Sequence, residues 1–262
     1  MSTPPPDLFN RRLRALRRDR AARRPELFLH DRAFAECLDR LEDIARGYQS
    51  ALLIGIPDPS WRMRLAAYAD VVEVEAFDPG TLFASAASAI HGEEDRYDFG
   101  IAQYDLVVAI GTLDTVNQLG PALAGIRRSL RPDSVFIGAL AGGDSLAVLR
   151  RAMLAADRAT GPAAARTHPR IAPATLAGLL GAAGFVMPVV DVDCVTLRYA
   201  NLAALVRDLR AMGASTSLIE RVPARGRTWA AHAAAAFAAE AIDGRTEERI
   251  DLLHFLGWSP PH

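Results

Sequence analysis

The chain has 262 residues, 50% of them hydrophobic and 23% charged, with a formal net charge of -1. This is soluble globular composition with enough chain for a full core, and it excludes collagen-like, disordered and disulfide-stapled classes. No apolar run approaches the ~20 residues that span a bilayer. The two cysteines, Cys37 and Cys194, belong to no CxxC pair, so no thiolate metal site is expected and a reducing, cytoplasmic setting is.

All 30 basic residues are arginine, which removes Schiff-base and P-loop lysine chemistry. The arginines are unevenly placed, with eight in residues 1–24 against Asp7 and Asp19. Residues 1–6 predict an extended lead-in. Residues 8–24 predict a helix with Leu8, Phe9, Leu13 and Leu16 on one side. Its arginines, Arg17 and Arg18 among them, read either as a solvated face or as a surface for an anionic partner. Residues 30–48 predict a second helix, with Phe34, Cys37, Leu38, Leu41, Ile44 and Ala45 at 3–4 spacing. Residues 1–48 thus form a basic helical segment ahead of a domain spanning 49–262.

From residue 51 the period changes. Short apolar runs at 51–55, 70–75, 105–110 and 134–140 suit strands buried on both faces. They alternate with helices predicted at 60–68, 79–90, 119–130 and 145–159, the last with Asp144 as a candidate cap. This alternation predicts an α/β fold, a doubly wound and mostly parallel sheet with right-handed crossovers. A helix at 174–183, a strand at 185–199 and a last strand at 249–256 follow. Helices at 202–212 and 228–241 form a helical insertion, about 201–242, before that last strand.

In doubly wound sheets ligands bind beyond the carboxyl ends of the strands, where strand order reverses. The first exit loop reads Ile54-Gly55-Ile56-Pro57-Asp58-Pro59-Ser60. Gly55 allows close backbone approach, whereas Pro57 and Pro59 each remove a donor and fix φ. Glu75 falls where the second strand is expected to end, and an acid there accepts hydrogen bonds from a ribose. The bland alternative is an acid at a strand end.

The stretch 104–117 resembles the fourth-strand region of class I S-adenosylmethionine-dependent methyltransferases. Residues 122–133, 136–146, 170–173, 179–185, 189–193, 207–214 and 257–260 resemble one branch of that superfamily. The branch includes the biotin-pathway malonyl-carrier-protein methyltransferase and the respiratory complex I assembly factor that hydroxylates an arginine on a complex I subunit. The assembly-factor side is the closer match, and the resemblance covers nearly the whole chain.

The resemblance implies a Rossmann-like methyltransferase fold and S-adenosylmethionine as cofactor. Gly55 matches the first glycine of the cofactor loop, Pro57 and Pro59 fall on the next two, and Leu53 replaces an acid. Glu75 matches the ribose acid, and Glu93 or Asp95 the acid that recognises adenine. Asp114 stands where relatives often carry a histidine beside the reaction centre. Asn117 is a candidate pocket residue, and Arg198 and Tyr199 are candidates to guide a substrate. Two functions follow. One is a methyltransferase-like protein with a degenerate cofactor loop and little turnover. The other is a non-catalytic or altered-chemistry assembly factor that binds a protein client such as a complex I subunit.

The six histidines lack metal-ligand spacing, so no metal is expected. No basic–aromatic interleaving points to nucleic acid, and no G-x-S-x-G motif points to a hydrolase. His254, in an apolar run, reads as a core residue.

Overall fold

The computed structural model describes residues 6–44, 46–220, 222 and 226–261. Residues 1–5 of the lead-in expected at 1–6, and Ala45 of the second predicted helix, lie outside these. Two helices come first, α1 (Arg11–Ala22) and α2 (Phe28–Ile44). Then β1 (Tyr48–Ile54), α3 (Trp61–Tyr68), β2 (Val71–Asp78), α4 (Thr81–Ala86) and β3 (Ile90–His91) alternate. The order continues through β4 (Tyr104–Ile110), α5 (Leu119–Ser129), β5 (Leu130–Gly142), α6 (Ala147–Thr160), α7 (Pro173–Ala182) and β6 (Val186–Tyr199). It ends with α8 (Leu202–Ala211), α9 (Arg227–Ala238), β7 (Ala241–Ile242) and β8 (Arg245–Trp258).

The sheet order is β3-β2-β1-β4-β5-β8-β6, with β7 paired to β8. Strands β1 to β5 pair in parallel, and β8 runs antiparallel to both β5 and β6. This is the expected mostly parallel, doubly wound α/β architecture. Strand order reverses between β1 and β4, so the ligand crevice of such a sheet opens at their carboxyl ends.

Period-two alternation sends neighbouring side chains of one strand into two cores. Ala51, Leu53, Leu106, Val108, Val135 and Ile137 face one core with Phe34, Leu38 and Leu41 of α2. Leu52, Ile54, Val107 and Phe136 face the other with Leu123 and Ile126 of α5 and Leu176 and Leu180 of α7. Full burial on both faces explains why these strands read as unbroken apolar runs.

Several elements differ from expectation: the second helix, predicted at 30–48, ends at Ile44, and the strand predicted at 134–140 runs from Leu130 to Gly142. The second strand continues past Glu75 to Asp78, because Ala76, Phe77 and Asp78 are buried. The helix read at 79–90 is shorter, Thr81–Ala86, and the short β3 begins at Ile90, the last residue of that span. Asp144 makes no cap for α6. Leu146 precedes that helix in the left-handed region, and the carboxylate of Glu248 accepts from Val148 and Leu149 N–H at 3.2 and 2.7 Å. The last strand begins at Arg245 rather than Arg249, since its inward positions there are Thr246 and Glu248. Buried polar residues hid the strand from an apolar pattern.

Candidate functional site

Gly55 leaves β1 with φ +81°, and a Cβ there would lie 2.3 Å from the Ile110 carbonyl oxygen. Only glycine lets β1 and β4 approach this closely. Three of the turn's donors are spent inside the fold. Gly55 N–H bonds the Phe77 carbonyl, Ile56 N–H bonds Asp78, and Ser60 N–H bonds the Asp58 side chain. Pro57 and Pro59 carry no N–H.

Helix α1 lies across this crevice. Asn10 caps it, its side-chain oxygen accepting from Leu13 N–H at 2.9 Å. Arg11, Arg14 and Arg18 recur at helical spacing and so share one face. That face meets acids. Arg18 holds Asp78 through Nε to Oδ1 at 2.9 Å and Nη2 to Oδ2 at 2.5 Å. Arg14 grips Glu94 with two bonds of 2.8 Å, Glu93 at 2.9 Å and the Thr112 carbonyl at 2.8 Å. Its Nε reaches Thr115 Oγ1 at 3.0 Å, so all five of its N–H groups are engaged. Arg11 forks onto Asp95 at 2.5 and 2.8 Å.

Chain segments on both sides hold the strap in place. Asn117 Oδ1 accepts from Leu8 and Phe9 N–H at 2.8 and 2.7 Å, and its Nδ2 donates to the Phe9 carbonyl. On the other side Asn10 N–H donates to the Ser217 carbonyl and Ile219 N–H to the Leu8 carbonyl.

The carboxylate at the end of β2 is therefore Asp78. Its Oδ1 accepts from Arg18 and Gly80 N–H, and its Oδ2 from Arg18 and Ile56 N–H. Four bonds use its full acceptor capacity. A ribose diol needs two of those positions, and the Arg18 guanidinium occupies two of them. In this arrangement Asp78 has no acceptor position open to a ribose hydroxyl.

Each expected site residue has a definite place. Glu75 lies three residues before the strand end and accepts from the Tyr104 hydroxyl, away from Asp78. Pro57 is buried beside Gly55. Glu93 serves Arg14, with a longer contact to Arg11. Asn117 clamps the strap. Arg198 is exposed and pairs with Glu247 across the β6–β8 ladder. Tyr199 is buried at the end of β6, its hydroxyl pushed above the usual phenol range by burial and then by Asp208. Arg198 and Tyr199 therefore do not meet the crevice acids. Arg18, expected on the surface, is buried, because the acid it neutralises ends a buried strand. The reading missed Asp78 and Glu94. The signals for them were the arginine stripe of α1 and the Glu93-Glu94-Asp95 run.

Behind Arg18 a cavity of about 100 Å³ remains, bordered by Arg17, His30, Asp114, His168 and Arg170. Asp114 sits on a single 3-10 turn, Leu113–Thr115, 3.5 Å from Arg170. Burial raises its pKa, against the pull of Arg170 and Arg14. Burial holds His30 and His168 down to about 4, so both are neutral. Among the described residues no group of three or more His, Cys, Asp or Glu side chains is placed to hold a metal ion.

Sheet order and crevice define a chain of the class I methyltransferase fold. Solved structures agree. The N-methyltransferase NodS of Bradyrhizobium japonicum WM9, in complex with S-adenosylhomocysteine, superposes with a TM-score of 0.51 at 13% identity, over 95% of this chain and 99% of that one. A chain of Bacillus halodurans C-125 assigned to the methyltransferases gives 0.58 at 12%, over 86% and 99%. At such identities the likeness is one of fold. No family model matches the chain.

Sequence relatives go further. The mitochondrial arginine-hydroxylase NDUFAF5 of Homo sapiens is 30% identical over 269 residues, 96% of this chain and 77% of the relative. That of Danio rerio is 30% identical over 247 residues, 89% and 75%. The chain belongs to the NDUFAF5 family. The malonyl-[acyl-carrier protein] O-methyltransferase of Xylella fastidiosa (strain M23) is 32% identical over 174 residues, 65% of this chain and 57% of that protein.

Proposed function

We propose that this protein keeps the methyltransferase fold as a scaffold for engaging a protein client and does not turn over S-adenosylmethionine. The saturated Asp78 carboxylate carries this reading. A cofactor would have to displace Arg18 from a pair in which neither side chain exceeds 8% exposure, and then break the Asn117 clamp. Separating a buried ion pair costs about 3–5 kcal/mol, comparable to much of a micromolar binding energy. Pro57 and Pro59 add to the obstacle.

By kinship with arginine-hydroxylases the client is a protein that presents an arginine, such as a complex I subunit. Its contact surface comprises the exposed end of α1 and the α8–α9 insertion. A reducing cytoplasmic compartment accords with the two free cysteines. No helix among the described residues is long and apolar enough to cross a membrane.

The test is a calorimetric titration of the full chain with S-adenosylmethionine, alongside thermal melts. The expected result is no saturable heat and an unchanged melting temperature. Micromolar binding with raised stability overturns the proposal. It would favour the second reading, a methyltransferase whose α1 swings away to admit cofactor, which Gly55 and the retained strand-end acid support.

A further inference from the structure

We propose that the cavity beneath α1 binds a small anion carrying a carboxylate or phosphate group, held between Arg17 and Arg170. The inference stands on this cavity and does not depend on the function proposed above. Of the arginines bordering the cavity, Arg14 and Arg18 are spent on buried acids. Arg170 and Arg17 are not.

The Arg170 side chain is only 10% exposed. Its one carboxylate contact among the described residues is Asp114 at 3.5 Å, the edge of hydrogen-bonding distance. Its Nη1 lies 3.4 Å from the Ala141 carbonyl, and its Nε is buried with no partner. Arg17 Nε is likewise buried and unpartnered, and no described acid forms a salt bridge with it. His30 Nδ1 has no partner either.

Two guanidiniums thus face a single carboxylate in a low-dielectric space. Leaving charged donors unmade there is costly, and an anion supplies the missing acceptors. A planar guanidinium fork matches the oxygens of a carboxylate or phosphate. The same field repels a sulfonium cation.

The approach route has the same sign. An adjoining cavity of about 230 Å³ shares Arg17, His168 and Arg170 with the first and adds Arg20 and Arg210. Both of these are exposed, so positive potential extends from the surface to the buried pair and focuses anions inward. The inner cavity has room for a few atoms beyond water, which limits the buried part of the ligand to its anionic head.

The experiment is calorimetric titration of the full chain with malonate and with inorganic phosphate at constant ionic strength, using sodium chloride as the control. Thermal melts run in parallel. The expected result is saturable binding of at least one anion with a melting temperature raised by a few degrees. Arg170→Gln and Arg17→Gln each weaken it about ten-fold, as loss of a charge-assisted contact does. Arg207→Gln, on an exposed residue of α8 beside Asp208, leaves it unchanged. If Arg170→Gln fails to fold, the less buried Arg17→Gln carries the comparison. Binding no greater than with chloride, or affinity unmoved by the foldable variants, overturns the inference.

Discussion

Arg18 and Asp78, sixty residues apart, close a two-point ion pair at the carboxyl end of β2, with the Asp78 side chain wholly buried. This pair joins the basic N-terminal helix to the sheet edge where a nucleotide would sit. Phe83 lies 5.2 Å from the Arg18 guanidinium and screens it further from water.

Removing one partner strands the other in the core. Arg18→Met is expected to destabilise the chain by about 3–5 kcal/mol, read as a lowered urea midpoint. Adding Asp78→Asn in the same chain recovers part of the loss, since the stranded charge disappears. Equal stability of Arg18→Met and the wild type would mean that the pair contributes nothing.

The loop prolines and the α1 arginines are separable obstacles to a cofactor. Pro57→Gly with Pro59→Gly restores two N–H donors and leaves Asp78 saturated, so calorimetry should detect no gain in S-adenosylmethionine binding. A gain of micromolar affinity from the glycines alone would assign the obstruction to the loop.

Acid should loosen the fold through buried histidines. His30 and His168 are held neutral down to about pH 4 by burial, whereas in the unfolded chain they take up protons near pH 6.5. The unfolded state therefore binds more protons between pH 6.5 and 4, and stability falls as pH drops through that window. The slope is on the order of 1 kcal/mol per pH unit for each histidine. His168 accepts from Ser217 N–H at 2.8 Å through Nε2, so His168→Gln keeps an acceptor and should flatten the profile. Denaturation midpoints measured from pH 7.5 to 4 check this.

Glu248 acts as a long-range cap. Its buried carboxylate satisfies two N–H groups in the first turn of α6, where the helix dipole also favours negative charge. Glu248→Ala should cost about 1–2 kcal/mol, while Glu248→Gln retains one acceptor oxygen and loses less. Indistinguishable melting curves for the two variants would contradict this role.

The client contact proposed for the basic end of α1 depends on exposed arginines. Arg23 and Arg24 are exposed, so Arg23→Glu with Arg24→Glu should reduce co-purification of a complex I subunit without moving the melting temperature. Reversal at Arg14 or Arg18 should unfold the chain instead, because each would set a carboxylate against a buried acid.

By itself the sequence determined the architecture. Apolar runs such as 51–54 and 105–110, separated by helices of period 3.6, are compatible with one layered α/β arrangement, and they reported the fold without reference to distant contacts. Gly55, the prolines after it and the family motifs were equally legible, because each is local. Only the tertiary structure decided what the arginines of α1 do. A stripe of guanidiniums has the same spacing whether it faces water or a buried acid, and the outcome turns on carboxylates 60 to 84 residues away. Burial of Asp78 is set by β1, β2 and the turn after Gly55 together, and desolvation of that charge makes Arg18 part of the core. The start of β8 escaped the sequence reading for the same reason: its inward polar residues, Thr246 and Glu248, are satisfied by partners that the fold alone brings near.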